Sequence, residues 1–424
     1  MNLLILSARI VDPNSPFNGK TKDILIENGK IVSIKDKIPA RGKSYKTFRA
    51  PGLCISPGWF DMHANFRDPG HEYKEDIHSG LNAAAAGGFT GVALMPSTRP
   101  PVSTKPAVEY ILRKSSGALT DIYPIGCLSA GLEGKDLSEM YDMHLSGAVA
   151  FSDDKNSVAD AGLLIRAMLY AKNFNSLIIH FPSDKSLAAG GQMNEGASST
   201  HLGMKGIPAI AEEIVIARDL YLAEYTGARL HFSTISTAGS VNLIRQAKRK
   251  GLKVTAEVAA HQFALDDSLL SGFDSHFKVN PPLRTKKDIK AIIEGLKDGT
   301  IDVICSDHSP ENIEKKKSEF DYAAFGISGI ETCYALANKC LRKTLTDAEI
   351  ISRIAIRPRE ILGITVPSVR QGQKANITLF DNRSEWVFDA GKSKSKSGNT
   401  PFSGTKLKGR ALGVFNNGQF ASCL

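Results

Sequence analysis

The sequence predicts a (β/α)8 barrel that carries a small β domain built from both ends of the chain. Short β-rich runs alternate with helical patterns between about residues 54 and 365, whereas both ends read as short strands. Eight strand–helix units in about 310 residues suit a barrel of this kind. A doubly wound sheet would give a similar rhythm, so that alternative stays open. The predicted barrel strands are Gly58–Asn65, Gly91–Ser97, Asp121–Ser129, Ala148–Asp153, Ser176–Phe181, Arg229–Ile235, Lys253–Ala259 and Asp302–Asp307.

Residues 1–53 and 366–424 are predicted to form one composite β-sandwich domain, and residues 54–365 the barrel domain. The runs LLILSARIVD and KDILIENGKIVSI lie near the start, and QKANITLFD and GRALGVFNNG near the end. The Asn28-Gly29 dipeptide predicts a β-hairpin. The Gly-, Ser- and Lys-rich segment DAGKSKSKSGNTPFSG predicts a mobile excursion between two of the last strands.

Helices are predicted between most of the barrel strands. In AGLLIRAMLYAKNF, the apolar side chains at 163, 164, 167, 168 and 171 form one stripe of an amphipathic helix. The segments GIPAIAEEIVIARDLYLAEYTG and SVNLIRQAKRKG predict two more helices, which end at Gly227 and Gly251.

The composition of the chain argues against several classes of protein. The chain of 424 residues has a formal net charge of +9, but its basic residues are scattered and no aromatic-rich basic motif accompanies them. We therefore expect no nucleic-acid partner. The six cysteines form no CxxC pair, which argues against a zinc ribbon and a disulfide framework. No apolar run approaches the roughly 18 residues that cross a bilayer, and a reducing cytoplasm is the expected location.

Polar side chains end six of the predicted strands, at His63, Ser97, Asp153, His180, Thr234 and Asp307. In a barrel these strand ends meet at one rim, which is where the active sites of this fold lie. Two imidazoles and two carboxylates in this set suit a pair of metal ions that activate a water for attack on an amide carbonyl. A single histidine at a strand end is more often structural, but four such groups at one rim favour a metal site.

Longer motifs resemble those of the class I dihydroorotases of the amidohydrolase superfamily, which open and close a cyclic amide in pyrimidine synthesis. They span nearly the whole chain and read PGWFDMHANFRDPGHEYKEDIHSG around the first barrel strand, FSDD at 151–154, NEGASSTHLGMKGIPAIAEEIVIARDLYLAEYTG before the sixth strand, VNPPLR at 279–284, DVICSDHSP at 302–310, FGISGIET at 325–332 and NTPFSG at 399–404. The resemblance implies a TIM barrel of the amidohydrolase type, a terminal β domain, a zinc centre and a homodimer. It also implies a set of site residues: His63, Asp153, His180 and Asp307 as metal ligands, Asp307 as the proton shuttle, and Arg67 and Asn280 as substrate contacts.

Two departures from these motifs affect the metal site. The family has HxH on the first barrel strand and HxxH on the sixth, where this chain has Asn65 and Thr234 in place of the second histidines. An amide or hydroxyl oxygen is a weak ligand for zinc. We therefore expect at most one metal ion, held by His63, Asp307 and Asp153, or a harder ion such as Mn²⁺ or Mg²⁺ on the oxygen ligands.

Two further departures affect substrate binding. Ser97 replaces an asparagine and cannot present a carbonyl and an NH2 group together. Glu311 replaces a histidine and would repel an anionic substrate such as dihydroorotate.

Three functional hypotheses remain. The first is a non-catalytic dihydroorotase homologue that assembles with aspartate transcarbamoylase, because some bacteria pair that enzyme with an inactive dihydroorotase-like chain. The second is an active, metal-dependent cyclic amidohydrolase that acts on dihydroorotate, allantoin or a hydantoin. The third is an interaction protein unrelated to pyrimidines.

Overall fold

The computed structural model describes residues 1–39 and 45–423. Its strands are β1 (Leu3–Ile10), β2 (Thr21–Glu27), β3 (Lys30–Lys35), β4 (Lys46–Phe48), β5 (Cys54–Pro57), β6 (Trp59–Ala64), β7 (Phe89–Leu94), β8 (Asp121–Gly126), β9 (Ala150–Phe151), β10 (Leu177–His180), β11 (Met193–Asn194), β12 (Gly206–Ile207), β13 (Leu230–Phe232), β14 (Val254–Ala259), β15 (Val303–Cys305), β16 (Ile377–Val387), β17 (Lys406–Asn416) and β18 (Gln419–Ser422).

Helices fill most of the connections between barrel strands. They are α1 (Ile77–Ala86), α2 (Lys105–Lys114), α3 (Met140–Leu145), α4 (Ala161–Lys172), α5 (Lys185–Ala188), α6 (Ala197–Leu202), α7 (Ile210–Thr226), α8 (Ala238–Arg249), α9 (Lys286–Lys297), α10 (Ile313–Lys316), α11 (Cys333–Leu341), α12 (Asp347–Ile351) and α13 (Arg357–Leu362). None of the described helices is long and apolar enough to cross a membrane.

Eight parallel strands form the barrel in the order β6, β7, β8, β9, β10, β13, β14 and β15. A parallel bridge between Ala64 and His308 brings the two ends of this order together, so the ring is nearly closed. The predicted barrel is confirmed, and the sequential strand order excludes the doubly wound alternative. Several strands end earlier than predicted, and the run Ala148–Asp153 shortens to β9 because its polar end turns out of the sheet.

Both ends of the chain contribute to a second sheet. Its order is β18, β17, β16, β5, β1, β2 and β3, with β4 beside β1. Strand β5 is the join, because it pairs with β1 from the start of the chain and with β16 from the end. The predicted hairpin lies between β2 and β3, where Asn28 and Gly29 have the positive φ angles of 51° and 76° that such a tight turn requires. The predicted domain boundaries themselves stay a prediction.

Helix α4 shows why the apolar stripe was a reliable signal. Asp160 begins the helix by accepting the backbone N–H groups of Gly162 and Leu163. The buried residues of α4 lie on one face, at the five positions that the sequence pattern indicated, namely Leu163, Leu164, Ala167, Met168 and Ala171. Helix α7 likewise ends at Gly227, which has the left-handed conformation of a helix cap.

The segment predicted as a mobile excursion is tied to the barrel. The Ser393 hydroxyl donates to Glu331 at 2.5 Å, and the Ser397 hydroxyl donates to the Lys74 carbonyl oxygen at 2.6 Å. Asn399 accepts the Glu311 backbone N–H at 3.0 Å. These hydrogen bonds place the segment against the barrel rim, so it supports the rim rather than extending away from it.

The α4 stripe gives a direct test of the core. Met168 is fully buried, whereas its neighbour Leu169 is 43% exposed. Met168→Ala should lower the free energy of unfolding by about 2–5 kcal/mol, because it leaves a cavity in the core. Leu169→Ala, the matched control, should change it by less than about 1 kcal/mol. Urea unfolding followed by tryptophan fluorescence measures both, and equal effects would contradict the assigned helix face.

Candidate active site at the barrel rim

A cavity of about 310 Å³ opens at the carboxyl ends of the barrel strands. Several residues singled out in the sequence line it together, namely Asn65, Arg67, Ser97, Asn280, Asp307 and Glu311. The sequence therefore located the pocket, although these residues come from segments far apart in the chain. Asp154 and Lys155 also line this cavity, and the sequence motifs had assigned no role to either.

His63 lies at the base of this cluster and is fully buried. Its Nδ1 donates to Glu257 Oε1 at 2.7 Å. Its Nε2 lies 3.3 Å from Asp154 Oδ1 and 3.4 Å from Asp307 Oδ1. Burial and Lys155 lower the pKa of His63, but the carboxylates of Glu257 and Asp154 outweigh them and raise this pKa to about 10. The Nδ1 atom is thus hydrogen-bonded to Glu257, whereas Nε2 and the two carboxylate oxygens that face it are buried without a hydrogen-bond partner among the described residues.

Asp153 and Asp154 face in different directions. Asp153 Oδ1 accepts the backbone N–H groups of Leu128 and Ser129, each at 2.9 Å, so its carboxylate fixes the turn after β8. Asp154 has a left-handed backbone, with φ of 51°, and reaches His63. The structure thus turns Asp154 toward the cluster, where the sequence interpretation had placed Asp153. Burial raises the pKa of Asp154, but its contact with His63 lowers this pKa overall.

His180 and Phe181 show a similar one-residue difference. His180 Nδ1 contacts Asp219 Oδ2 at 2.5 Å, and its Nε2 accepts the Val158 backbone N–H at 2.9 Å. Both nitrogens are engaged away from the cluster, so His180 is not placed to bind a metal ion there. The Phe181 ring lies 4.8 Å from the Lys155 ammonium instead. Successive side chains of a strand point to opposite faces, which is why only one of these two neighbours reaches the pocket.

The Lys155 ammonium lies between two residues of the cluster. It donates to Thr234 Oγ1 at 2.9 Å and pairs with Asp307 Oδ1 at 3.0 Å. Thr234 is the position at which the family motif has a histidine. A hydroxyl that contacts an ammonium therefore stands where a second imidazole would be needed.

Asn65 and Ser97 form a polar pair on the opposite side of the pocket. The Ser97 hydroxyl donates to Asn65 Oδ1 at 2.9 Å and also contacts the Asp154 carboxylate. The oxygen with which Asn65 could bind a metal ion is therefore already a hydrogen-bond acceptor.

Arg67 is held by Glu311. Arg67 Nη2 lies 3.2 Å from Glu311 Oε1 and donates to Ser309 Oγ at 2.6 Å. Lys74 Nζ pairs with the other Glu311 oxygen at 2.7 Å. Glu311 is only 5% exposed, so this carboxylate neutralises Arg67 within the pocket wall.

Four rim residues have a strained backbone. Arg67, Asp154, Thr234 and Asp307 have φ angles of 60°, 51°, 47° and 47°. A non-glycine residue in this region costs on the order of 1–3 kcal/mol and is typical of functional sites. Each of these residues follows a barrel strand, and Arg67, Asp154 and Asp307 line the cavity.

The side chains do not fit a pair of zinc ions. Within residues 1–39 and 45–423, no group of three or more His, Cys, Asp and Glu side chains is arranged to hold a metal ion. His63, Asp154 and Asp307 come nearest, since His63 Nε2 and one oxygen of each carboxylate face each other without a hydrogen-bond partner in these ranges, but they supply one imidazole where a pair of zinc ions needs several. Zinc also prefers nitrogen and sulfur ligands, and the other groups here are a hydroxyl, an amide and a phenyl ring.

Comparison with solved structures agrees with the fold. The structure superimposes on the L-hydantoinase (dihydropyrimidinase) from Arthrobacter aurescens with a TM-score of 0.87 at 22% identity, covering 99% of this chain and 96% of the other. It matches the dihydropyrimidinase from Brevibacillus agri NCHU1002 with a TM-score of 0.84 at 22% identity, covering 100% and 95%. The fold is thus the barrel of the hydantoinase type, which is the amidohydrolase architecture.

Sequence relatives identify the family within this class. Residues 52–240 match the family described as Dihydro-orotase-like. The chain is 45% identical to a dihydroorotase of Geobacter metallireducens over 413 residues, which cover 97% of each chain. It is 44% identical to a dihydroorotase of Acetivibrio thermocellus over 419 residues, covering 98% of each. The chain belongs to the dihydroorotase family.

Sequence reasoning missed four residues of the cluster, namely Asp154, Lys155, Phe181 and Glu257. Strand alternation was the available signal for Phe181. Neighbouring side chains of a strand point to opposite faces, so only one of His180 and Phe181 can face the pocket. Glu257 interrupts the apolar strand β14, and a lone carboxylate in a buried strand usually has a partner. No spacing rule pointed to Lys155, whose side chain reaches across the rim.

Glu257 offers a test of the imidazole network. Its two oxygens face His63 Nδ1 at 2.7 Å and His231 Nε2 at 3.5 Å. Glu257→Gln should lower the free energy of unfolding by about 3–5 kcal/mol, because it breaks a buried charge pair. Glu224→Gln, on the exposed surface of α7, is the control and should change it by no more than about 0.5 kcal/mol. Similar urea midpoints for the two variants would show that the contacts of Glu257 do not stabilise the fold.

Proposed function

We propose that this member of the dihydroorotase family has little or no dihydroorotase activity and acts as a structural partner of aspartate transcarbamoylase in pyrimidine biosynthesis. The observation that carries the loss of activity is the filling of the rim by groups that cannot activate a water. An ammonium, a hydroxyl and a phenyl ring, from Lys155, Thr234 and Phe181, stand where a second metal ion would need imidazoles.

Substrate binding is weakened for a separate reason. Dihydroorotate carries a carboxylate, and Arg67 is the cation that the family resemblance assigns to it. In this chain Glu311 already pairs with Arg67 at 3.2 Å, and Lys74 holds Glu311 from the other side. An anionic substrate would have to displace this buried carboxylate or accept its repulsion, which costs about 1–4 kcal/mol for charges a few ångströms apart.

Proton transfer is obstructed as well. Asp307 is the proton shuttle that the resemblance implies, and its Oδ1 lies 3.0 Å from Lys155 Nζ and 3.4 Å from His63 Nε2. A general base acts on a proton within its reach. Here the Lys155 ammonium faces that oxygen as an ion-pair partner, which favours charge pairing over proton transfer.

The proposed partner rests on the resemblance to dihydroorotase-like chains that accompany aspartate transcarbamoylase. The complete barrel and terminal sheet support a role that depends on the shape of the protein. A homodimer, which the same resemblance implies, is part of this proposal.

A second candidate is an active cyclic amidohydrolase, acting on dihydroorotate or on a related ring such as allantoin or a hydantoin. The identity of 45% to a protein named dihydroorotase favours it. In that case a single ion, zinc or a harder metal, would be held by His63, Asp154 and Asp307, whose facing atoms have no hydrogen-bond partner in the part of the chain that the structure describes.

Activity separates these candidates. Purified protein supplied with Zn²⁺ or Mn²⁺ should cyclise carbamoyl aspartate at least about 10²–10³ times more slowly than the Geobacter metallireducens relative, because several transition-state contacts are replaced. The relative, assayed in the same buffer, is the positive control. A rate within about tenfold of that control would contradict the proposed loss of activity.

Association tests the structural role. When the chain is co-expressed with aspartate transcarbamoylase from the same organism, the two should elute together in size-exclusion chromatography at micromolar concentration, as a stable interface predicts. The family relative from Geobacter metallireducens, co-expressed in place of this chain, is the control for non-specific association. Separate elution of the two proteins would refute the proposed partner.

A further inference from the structure

We propose that the Lys155 ammonium takes the structural place of the metal ions, so that the barrel folds and holds its rim together without any metal. This inference deepens the proposed loss of activity and rests on it, since it concerns the same cavity. It adds a role for Lys155. Its ammonium, which is part of the chain, would supply the positive charge that a bound metal ion would otherwise supply.

The position of the ammonium supports this role. Lys155 follows β9, and its Nζ contacts Thr234 after β13 and Asp307 after β15, at 2.9 and 3.0 Å. It also lies 4.8 Å from the ring of Phe181 after β10, a favourable arrangement for a cation. One ammonium thus links the ends of four barrel strands, which is the geometric task that a bridging metal ion performs.

The charges around the ammonium explain why the rim needs it. Asp154, Asp307 and Glu257 are no more than 5% exposed, so three carboxylates are buried close together. Buried carboxylates are tolerated when they are paired and are strongly destabilising when they are left alone. Lys155 supplies a positive charge to this group from within the chain, and 24% exposure of its side chain shows that it reaches in from the pocket.

The same contact opposes metal binding. A metal ion at the rim would need Asp307 Oδ1, and the ammonium already lies 3.0 Å from that oxygen. A metal ion bound to this oxygen and the ammonium would repel each other, because both are positive. A lysine ammonium also has three hydrogen-bond donors and no lone pair, so it cannot itself bind a metal ion. Occupation by lysine and occupation by a metal ion are therefore mutually exclusive.

The first experiment uses the unmodified chain. After expression in zinc-supplemented medium, metal analysis should find fewer than about 0.1 zinc or manganese ions per chain. A chelator, or added Zn²⁺, should leave the melting temperature unchanged within about 1 °C, because a group that does not bind the folded state cannot shift its stability. One or more ions per chain, with a lower melting temperature after chelation, would overturn the proposal.

The second experiment removes the charge. Lys155→Met keeps the length of the side chain, and it should lower the melting temperature by several degrees and make it rise again on addition of Zn²⁺, because Asp307 then loses its ammonium partner. Lys135→Met is the control, since Lys135 forms a surface pair with Glu133 and is 75% exposed. Equal melting temperatures for the two variants, without a response to Zn²⁺, would contradict the proposal. If Lys155→Met yields no folded protein without zinc but folds in its presence, the proposal is supported.

These readouts differ from those that test the function. A metal-free chain that nevertheless cyclises carbamoyl aspartate would refute the proposed loss of activity and leave the role of Lys155 standing. A chain that holds zinc but has no activity would overturn the role of Lys155 alone.

Discussion

Carboxylates buried at the barrel rim must be matched by positive charge, and the contact between Lys155 and Asp307 is the pairing on which the rim depends. Asp307 Oδ1 also lies 3.4 Å from His63 Nε2, so the lysine and the imidazole face one oxygen. Behind them Glu257 holds the other side of the imidazole at 2.7 Å. In this arrangement each buried charge has a partner from the chain itself, which buried ionised groups require. The ion pairs at the rim thus occupy the same carboxylates that a metal ion would need.

The backbone of the rim is distinctive at four residues. Arg67, Asp154, Thr234 and Asp307 have left-handed conformations at the ends of barrel strands, and the surrounding barrel is of the hydantoinase type. A barrel can hold such a strained rim because its strands are fixed by the core beneath them. A complete barrel scaffold therefore carries a cluster of paired buried charges at its rim.

The sequence predicted the fold because its signals were repeated and local. The strand and helix periods recurred along the barrel, and the stripe on α4 identified all five of its buried residues.

The pocket was also predictable, since strand ends meet at one rim. The errors concern single-residue choices, between Asp153 and Asp154 and between His180 and Phe181. A shift of one residue reverses the direction of a side chain, and the left-handed backbone at Asp154 breaks the regular alternation at the very end of the strand. Lys155 could not be predicted because its contacts lie about 80 and 150 residues away along the chain, a separation that no local pattern encodes.

The most direct test of this account is a crystal structure of the chain grown in the presence of zinc, with anomalous diffraction recorded at the zinc absorption edge. The account predicts no anomalous peak at the rim and clear density for the Lys155 ammonium between Thr234 and Asp307. A peak about 2 Å from His63 Nε2 and from the Asp154 and Asp307 carboxylates, with Lys155 displaced into the pocket, would contradict it.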